Sequence, residues 1–264
     1  MKKVILCLLA VLMFCPVFAE TPKEFDVYLL IGQSNMAGRG LFEAKDTTDA
    51  IDGVWLLNAD GVPEPAVAPL NKYSTIRKEL SLQGYNPGCE FGRIMHKETG
   101  RPILLVVNAR GGSHIAEWQP DNSNSYFKDA VRRTNEAMRY GKLKGILWNQ
   151  GETDVQKKTW DYPEKFSRMI TSLRSELGAE DIPVVIGQVG RWNWAPKEDI
   201  ERFNDSIVPA TSKLVPVCTY VSSKGLERRF KDKERDPHYG RKAQIELGRR
   251  YAEAVKSLRP AAGE

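Results

Sequence analysis

The sequence predicts an α/β fold in which a parallel β-sheet is covered by helices on both sides. Short apolar runs alternate with amphipathic stretches along nearly the whole chain, and no internal repeat or interdomain linker interrupts them. Strand and helix alternation of this kind is typical of parallel sheets. A length of 264 residues is compatible with one such domain.

Four runs have the apolar, β-branched character of buried strands, and they lie at residues 25–31, 102–107, 145–148 and 182–186. Five stretches between and after them have helical spacing, at residues 90–99, 126–140, 162–177, 199–213 and 241–258. The last of these is the clearest amphipathic helix, because Ile245, Tyr251 and Val255 fall on one face.

The composition indicates a globular chain with a sizeable core. Hydrophobic residues make up 41% and charged residues 28%. The net charge of +5 is too small to indicate nucleic-acid binding. We interpret the basic run at residues 224–235 as a solvated face, since acidic residues interrupt it.

The amino terminus has the pattern of a signal peptide. Lys2 and Lys3 precede an apolar run over residues 4–18 that ends in Ala19. This run is shorter than the roughly 20 residues of a spanning helix, and no second run of spanning length follows. We therefore expect a signal peptide at residues 1–19, a single mature domain at residues 20–264 without a membrane span, and a periplasmic or extracellular location.

Export would leave two cysteines, Cys89 and Cys218. In an oxidising compartment the pair could form a disulfide. Two buried free thiols fit the sequence equally well, so both alternatives remain open at this point.

Three predicted strands lead directly into small, polar or glycine-rich segments, at residues 32–36, 108–113 and 149–154. Because ligands of parallel sheets bind at the carboxyl ends of the strands, we expect these segments to converge on one site. A proline-rich connection at residues 58–88 is predicted to lie over the same edge.

Several familiar cofactor sites are absent from the sequence. It contains no Gly-x-x-x-x-Gly-Lys-Ser/Thr loop, no dinucleotide glycine fingerprint after the first strand, no His-Glu-x-x-His and no cysteine pair at zinc spacing. We therefore expect chemistry without a metal or an organic cofactor.

Ser34 is the candidate nucleophile, because it lies in a turn that directly follows a buried strand. A serine hydroxyl needs a base to take its proton, although Ser34 could instead cap a helix. Of the three histidines, His96 falls on a predicted helix and His114 follows a glycine turn. His238 is preferred as the base, since Asp236 stands two residues before it and could orient the imidazole.

An acyl-transfer site also needs hydrogen-bond donors for an oxyanion. The main-chain amides of Ser34 and of Gly111 or Gly112 are candidates, and Gln150 could add a side-chain amide. The two glycines could equally be a simple turn.

These motifs together resemble a known family. The chain has Gly-Gln-Ser-Asn-Met at residues 32–36, Gly-Gly-Ser at 111–113, Trp-x-Gln-Gly-Glu-x-Asp at 148–154 and a C-terminal His238. The pattern is similar to that of the SGNH hydrolases, in the branch of sialate O-acetylesterases and acetyl xylan esterases of carbohydrate esterase family six. The resemblance covers residues 26 to about 255.

The resemblance implies a three-layer α/β/α sandwich with a parallel, flavodoxin-like sheet. It also implies that Ser34 is the nucleophile, that Gly112 rather than Gly111 is the glycine donor, that Gln150 is the side-chain donor and that His238 is the base. One position departs from the pattern: three residues before the histidine, where the family acid commonly stands, this chain has Arg235. Asp236 is the nearest substitute, and a serine-histidine dyad is the alternative.

Other polar and aromatic residues near these motifs are candidates for bracing the site or binding substrate, namely Gln33, Asn35, Arg110, Glu152, Trp192 and Trp194. Glu152 and Asp154 could suggest a paired-carboxylate glycosidase. We favour a bracing role for the two carboxylates, with Arg110 and Asn35 holding them. Trp192 and Trp194 are the preferred stacking surfaces for a sugar ring.

The function expected from the resemblance is that of a secreted esterase that removes acetyl groups from a carbohydrate, either acetylated xylan or a glycan of the sialic acid type. An esterase or lipase for another short acyl ester is one alternative. A carbohydrate-binding protein that has lost catalysis is the other.

Overall fold

The computed structural model describes Pro22, residues 24–233 and residues 235–258. The predicted signal peptide at residues 1–19 lies outside the described residues. The strands of the described part are β1 (Phe25–Gly32), β2 (Val54–Leu57), β3 (Pro63–Pro65), β4 (Ile103–Ala109), β5 (Gly141–Asn149), β6 (Val184–Gly187) and β7 (Cys218–Val221).

These strands form one sheet in the order β3-β2-β4-β1-β5-β6-β7. All neighbours pair in parallel except the short edge strand β3, which runs antiparallel to β2. Strand β1 lies in the centre and is buried along its whole length. Its neighbours β4 and β5 end beside it, with Gly32 paired to Ala109 and to Asn149. The segments that follow the three strands therefore leave the sheet at the same edge.

The helices are α1 (Ser34–Ala37), α2 (Pro87–Thr99), α3 (Tyr126–Met138), α4 (Glu152–Lys157), α5 (Tyr162–Glu176), α6 (Lys197–Arg202), α7 (Val208–Leu214) and α8 (Arg241–Leu258). Alternate residues of β1 point to opposite faces of the sheet. Val27 and Leu29 pack in the core beneath α3, α5 and α7, whereas Tyr28 and Leu30 pack beneath α2 and α8. This arrangement confirms the predicted α/β sheet with helices on both sides.

The predicted helix at residues 199–213 differs in detail from the observed one. Helices α6 and α7 are joined by a wider turn, Phe203–Ile207, with π-type geometry. Pro209 lies in the first turn of α7, and a proline inside a helix lacks an N–H and clashes with the carbonyl four residues earlier. The widened turn contains that carbonyl, which accounts for the interruption.

The sequence prediction omitted strands β2, β3 and β7. They are only three or four residues long and lie at or near the edges of the sheet. Strand β3 is part of the connection at residues 58–88, and later residues of that connection do cover the carboxyl edge. Among the described residues, no helix is both long and apolar enough to cross a membrane.

The two cysteines of the described part are free thiols. Cys89 lies on α2 in the core on one face of the sheet, whereas Cys218 lies on β7 and packs against the core of the other face. The sheet separates them, so the structure favours the two-thiol alternative.

Candidate active site

A pocket of about 560 Å³ opens at the carboxyl edge of the sheet. Ser34 follows β1, Gly111 and Gly112 follow β4, and Glu152 follows β5. His238 precedes α8 and completes the floor. One wall is formed by the connection at residues 58–88, which contributes Lys78, Ser81, Leu82, Gln83 and Gly84. The sequence motifs thus meet at one place, as predicted.

Ser34 is placed by a backbone turn that only glycine can make. Gly32 has φ +135°, and a Cβ on this residue would lie 2.2 Å from the carbonyl oxygen of Asn149. The chain therefore leaves β1 tightly packed against β5, and Ser34 begins α1 with 4% of its surface exposed.

His238 is the histidine that reaches Ser34, with 2.9 Å between its Nε2 atom and Oγ of the serine. A short antiparallel bridge holds its loop, in which the Arg229 amide donates to the His238 carbonyl at 2.7 Å. His96 instead contacts the Arg101 carbonyl through Nδ1, at 2.8 Å.

Asp236 contacts His238 on the opposite side of the imidazole. Its Oδ1 atom forms a short hydrogen bond with Nδ1 of His238 and also accepts from the His238 main-chain amide at 3.2 Å. The carboxylate keeps the proton on Nδ1, so Nε2 is free to accept from the serine hydroxyl. Two residues of separation are therefore sufficient for the contact that the resemblance assigns to an acid three residues upstream.

Burial of the imidazole favours its neutral form. Burial, opposed by Asp236 and reinforced by the charges of Arg39 and Arg229, lowers the pKa of His238 to about 4. An imidazole with this pKa is an unprotonated base over the whole neutral range.

Gly111 and Gly112 both line the pocket, and they differ in their surroundings. A Cβ on Gly111 would lie 3.6 Å from Cβ of Ser34 and 2.9 Å from Nη2 of Arg39, whereas a Cβ on Gly112 would meet Nζ of Lys78 at 3.3 Å. Gly111 is thus the glycine packed against the nucleophile. Gly112 has φ +77°, a conformation that favours glycine.

The structure differs from the expectation at Gln150. This side chain is fully buried and does not line the pocket. Its Nε2 donates to the Ser113 carbonyl at 3.0 Å, to Gln33 Oε1 at 3.2 Å and, in a short hydrogen bond, to Asp154 Oδ2. An amide nitrogen has only two hydrogens, so protein acceptors already occupy the donor that was expected to face an oxyanion.

Glu152 and Asp154 brace loops, as the sequence interpretation favoured. Asn35 donates to Glu152 Oε1 and, at 3.3 Å, to the carbonyl of Pro237, the residue before His238. Asp154 accepts from the amide of Ile115 at 3.0 Å. Burial raises the pKa of Glu152 to about 7.

Two of the predicted site residues lie away from the reacting groups. Arg110 donates to the carbonyls of Ile76 and Arg77, both at 3.2 Å. Its side chain therefore points toward the connection at residues 58–88 and does not hold Glu152 or Asp154, as had been expected. Trp194 is 5% exposed and donates to the Gly190 carbonyl at 2.8 Å, so it offers no stacking face.

Trp192 has a different place from the one expected. Its Nε1 donates to the main-chain carbonyl of Asp236 at 2.6 Å, and its ring packs edge-on against Tyr239. It supports the segment that carries Asp236 and His238, and it is not among the residues that line the pocket.

Three cations of the pocket, Arg39, Lys78 and Arg229, were not predicted from the sequence. Arg229 donates from Nε and Nη2 to Asp236 Oδ2, at 3.3 and 3.2 Å. Arg39 lies beside Gly111 and is 9% exposed. The interpretation of residues 224–235 as a solvated face is therefore wrong for Arg229. The position of Arg229 in the same short segment as Asp236 could have identified it as a site residue. The number of charges in the segment does not distinguish it from its neighbours.

Comparison with known proteins gives a consistent result. The family model described as carbohydrate esterase, sialic acid-specific acetylesterase, matches residues 24–257. A probable carbohydrate esterase of Arabidopsis thaliana is 28% identical over 258 residues, covering 88% of this chain and 90% of the relative.

Solved structures agree in fold. An Arabidopsis thaliana protein superposes with a TM-score of 0.73 at 25% identity, over 89% of this chain and 98% of its own. A carbohydrate acetylesterase from Xanthomonas citri superposes with a TM-score of 0.59 at 19% identity, over 88% of this chain and 56% of its own. The latter likeness supports the fold alone.

Proposed function

The chain belongs to the carbohydrate esterase family of sialic acid-specific acetylesterases, and from this premise we propose that it removes acetyl groups from acidic sugars through an acetyl-enzyme on Ser34. Carbohydrate acetylesterase activity follows from the family. The proposal concerns the substrate and the catalytic route, which is the formation and hydrolysis of an acetyl-enzyme on Ser34. The observation that carries the route is the line of contacts from Ser34 through His238 to Asp236 at the floor of the pocket.

In the first half-reaction, Oγ of Ser34 attacks the acetyl carbonyl carbon while Nε2 of His238 takes the hydroxyl proton. We assign the oxyanion to the main-chain amide of Ser34 and an amide of the Gly111–Gly112 segment, because these residues line the pocket. When the tetrahedral intermediate collapses, the bond to the sugar oxygen breaks. His238 returns its proton to that oxygen, and the sugar leaves as an alcohol.

In the second half-reaction, a water molecule replaces the sugar. His238 takes a proton from the water as it attacks the acetyl-enzyme, and the bond between the acetyl carbon and Oγ then breaks. Acetate leaves, and Ser34 regains its proton from His238. Asp236 stabilises the imidazolium that forms in each half-reaction.

The charge of the pocket supports an acidic sugar over a neutral one. Arg39, Lys78 and Arg229 line it, and Glu152 is the one acidic residue among its described lining residues. Arg229 already pairs with Asp236, which leaves Arg39 and Lys78 to attract a substrate carboxylate. Acetylated sialic acid-type glycans have such a carboxylate, whereas a xylan backbone that bears only acetyl groups lacks it.

The test is acetate release from O-acetylated sialic acid and from acetylated xylan, with the wild type and Ser34→Ala. We expect the acidic substrate to have the higher kcat/KM and Ser34→Ala to lose many orders of magnitude in rate on both. Ser81→Ala is the matched control, since Ser81 is an exposed serine of the same pocket. A Ser34→Ala protein that retains a tenth of the activity would overturn the route.

A second candidate acyl specificity has one observation in its favour. Leu41, Phe42 and Leu82 line the pocket, and Leu41 and Leu82 are 57% and 49% exposed. An apolar wall of this kind could accept an acyl chain longer than acetyl. Rates with p-nitrophenyl acetate, butyrate and octanoate distinguish the two, and an optimum beyond acetate would favour the second candidate.

Export remains part of the proposal. The pattern of Lys2, Lys3 and the apolar residues 4–18 supports cleavage after Ala19. Mass spectrometry of the secreted protein should give a mature chain that begins at Glu20. An intact amino terminus in the active protein would contradict this.

A further inference from the structure

A second, shallower groove adjoins the catalytic pocket, and we call it the side groove. It has a volume of about 310 Å³ and is lined by Arg77, Lys78, Glu79, Leu82 and Arg110. Lys78 and Leu82 line the catalytic pocket as well, so the groove and the pocket meet at these two side chains. A ligand that fills the catalytic pocket can therefore extend into the side groove.

The two glycines after β4 connect the side groove with the nucleophile. A Cβ on Gly111 would lie 3.6 Å from Cβ of Ser34, and a Cβ on Gly112 would lie 3.3 Å from Nζ of Lys78. The nucleophile and the first cation of the groove are thus the neighbours of two successive residues. When an acetyl group lies at Ser34, the next unit of the same glycan can pass over Gly112 toward Lys78.

The side groove has an excess of positive charge. Three of its lining residues are cations, and Glu79 is the one acidic residue among those described there. None of the three cations forms an ion pair within the described part of the chain. Surface arginines elsewhere do so; Arg249, for example, pairs with Glu246 on its own helix. Unpaired cations that line a groove attract an anionic ligand.

Main-chain carbonyls hold the two guanidinium groups of the groove in place. Arg77 donates from Nε to the Lys72 carbonyl at 2.9 Å and from Nη1 to the Lys78 carbonyl at 3.3 Å. Arg110 donates from Nη1 to the carbonyls of Ile76 and Arg77, both at 3.2 Å. These acceptors are neutral, so they orient the guanidinium groups without cancelling their charge. The remaining N–H groups can donate to a carboxylate.

The segment that carries Arg77 is itself anchored to the end of the sheet. Asn71 is fully buried and exchanges two hydrogen bonds with the main chain of Ala109, at 2.9 and 3.1 Å. The amide of Thr75 donates to Oδ1 of Asn108 at 3.2 Å. Both acceptors lie at the end of β4, the strand that leads into the catalytic pocket. A ligand of the side groove therefore meets a surface that needs little further ordering.

We propose that the side groove binds a negatively charged sugar unit next to the acetylated one, so that the substrate is an acidic oligosaccharide or polysaccharide. This inference rests on the proposed acetyl transfer from an acidic sugar at Ser34. Arg39 and Lys78 attract the carboxylate of the acetylated unit, and Arg77 and Arg110 bind that of its neighbour. A guanidinium group suits this role because its planar N–H groups match a carboxylate. A single acidic sugar leaves the side groove without a ligand.

The first test compares one sugar unit with several. The measurement is acetate release from O-acetylated sialic acid and from its O-acetylated tetramer at low salt. In the wild type we expect a higher kcat/KM per acetyl group for the tetramer, chiefly through a lower KM. Arg77→Gln should lower the ratio of the two kcat/KM values by about two- to fivefold, the size of an exposed ion pair. Arg77→Glu should lower it further.

The pair of Arg77 variants separates charge from structure, since both lose the same main-chain hydrogen bonds and differ in charge. Arg139→Gln and Arg139→Glu are the matched controls, because Arg139 is exposed and donates from Nε to the Glu136 carbonyl at 3.3 Å. Both should keep the wild-type ratio. At about 1 M salt, where the Debye length is about 3 Å, the advantage of the tetramer should shrink. Equal kcat/KM for monomer and tetramer in the wild type, or a wild-type ratio in Arg77→Glu, overturns the inference.

Binding of the tetramer without acetyl groups keeps this test apart from the proposed function, because Ser34 has no ester to attack in it. Calorimetry should show binding to the wild type and weaker binding to Arg77→Glu. If Arg77→Glu binds the tetramer as tightly as the wild type while Ser34→Ala is inactive, the side groove is wrong and the proposed function stands. If Ser34→Ala keeps full activity on the acetylated monomer while Arg77→Glu binds the tetramer weakly, the acetyl-enzyme is wrong and the side groove stands.

Discussion

Arg229 holds the outer oxygen of Asp236, with its Nε and Nη2 atoms 3.3 and 3.2 Å from Oδ2, while the inner oxygen Oδ1 faces His238. The Asp236 side chain is 8% exposed and that of Arg229 is 23% exposed. Two hydrogen bonds to one carboxylate oxygen restrict its rotation, and the restricted carboxylate in turn orients the imidazole. The charge of Arg229 also lowers the pKa of His238.

Arg229→Gln should therefore lower kcat/KM by about tenfold or more, a loss of at least about 1.4 kcal/mol in transition-state stabilisation. The acid limb of the pH profile should also move to higher pH, because a positive charge that disfavours the imidazolium is removed. Arg228→Gln is the control, since its side chain donates to the Lys231 carbonyl instead. A purely structural role would lower activity equally at every pH.

The wild-type pH profile should show an unusually acidic limb. Neutral His238 is the active form, and its pKa is lowered to about 4, first by burial. Activity should thus be lost only as pH falls through about 4, and kcat/KM should be flat from about pH 5 to 7. The check is kcat/KM for p-nitrophenyl acetate measured across this range. A midpoint near the ordinary histidine value of about 6.5 would contradict it.

Asp236→Asn should reduce kcat by 10²-fold or more with an unchanged Tm. Asparagine preserves the size of the side chain but cannot stabilise the imidazolium, an effect worth about 10⁴ in the best-studied serine triad. Asp232→Asn is the control, since Asp232 is an exposed carboxylate of the same loop. Near-normal kcat/KM in Asp236→Asn would favour a serine-histidine dyad.

Glu152→Gln should change how stability depends on pH. Burial raises the pKa of Glu152 to about 7 in the folded protein, above the unfolded value of about 4.3. The folded state therefore binds the extra proton, and this stabilisation is present below about pH 4 and lost as pH rises through about 7.

The measurement is the free energy of unfolding in urea at pH 4.5 and at pH 8 for both proteins. Relative to wild type, Glu152→Gln should gain about 3 kcal/mol between the two values, since one pKa unit corresponds to about 1.36 kcal/mol. Glu98→Gln, at a surface carboxylate on α2, should show no comparable difference. Parallel curves for wild type and Glu152→Gln would mean that folding does not raise the pKa of Glu152.

The central elements of the fold could be read from the sequence because their burial dictates their composition. Strand β1 is covered on both faces and is apolar apart from Asp26, and α8 has one buried and one polar face. Strands β2, β3 and β7 have only three or four residues each, too few for a periodic signal. They are defined by their pairing with neighbouring strands. Strand β6 is equally short, but it lies within a longer run at residues 182–186, which predicts a strand.

The sequence motifs predict acyl-transfer chemistry. It places Ser34, Gly111, Gln150 and His238 next to strand ends or before the last helix, and parallel strands bring such positions to one edge. Which side chains line the pocket depends on the tertiary structure. Gln33 and Gln150 have the same side chain, and their hydrogen-bond directions depend on neighbours that are distant in sequence, such as Tyr162. Likewise Asp236 gains Arg229 as a partner only because the chain folds back into a short antiparallel bridge.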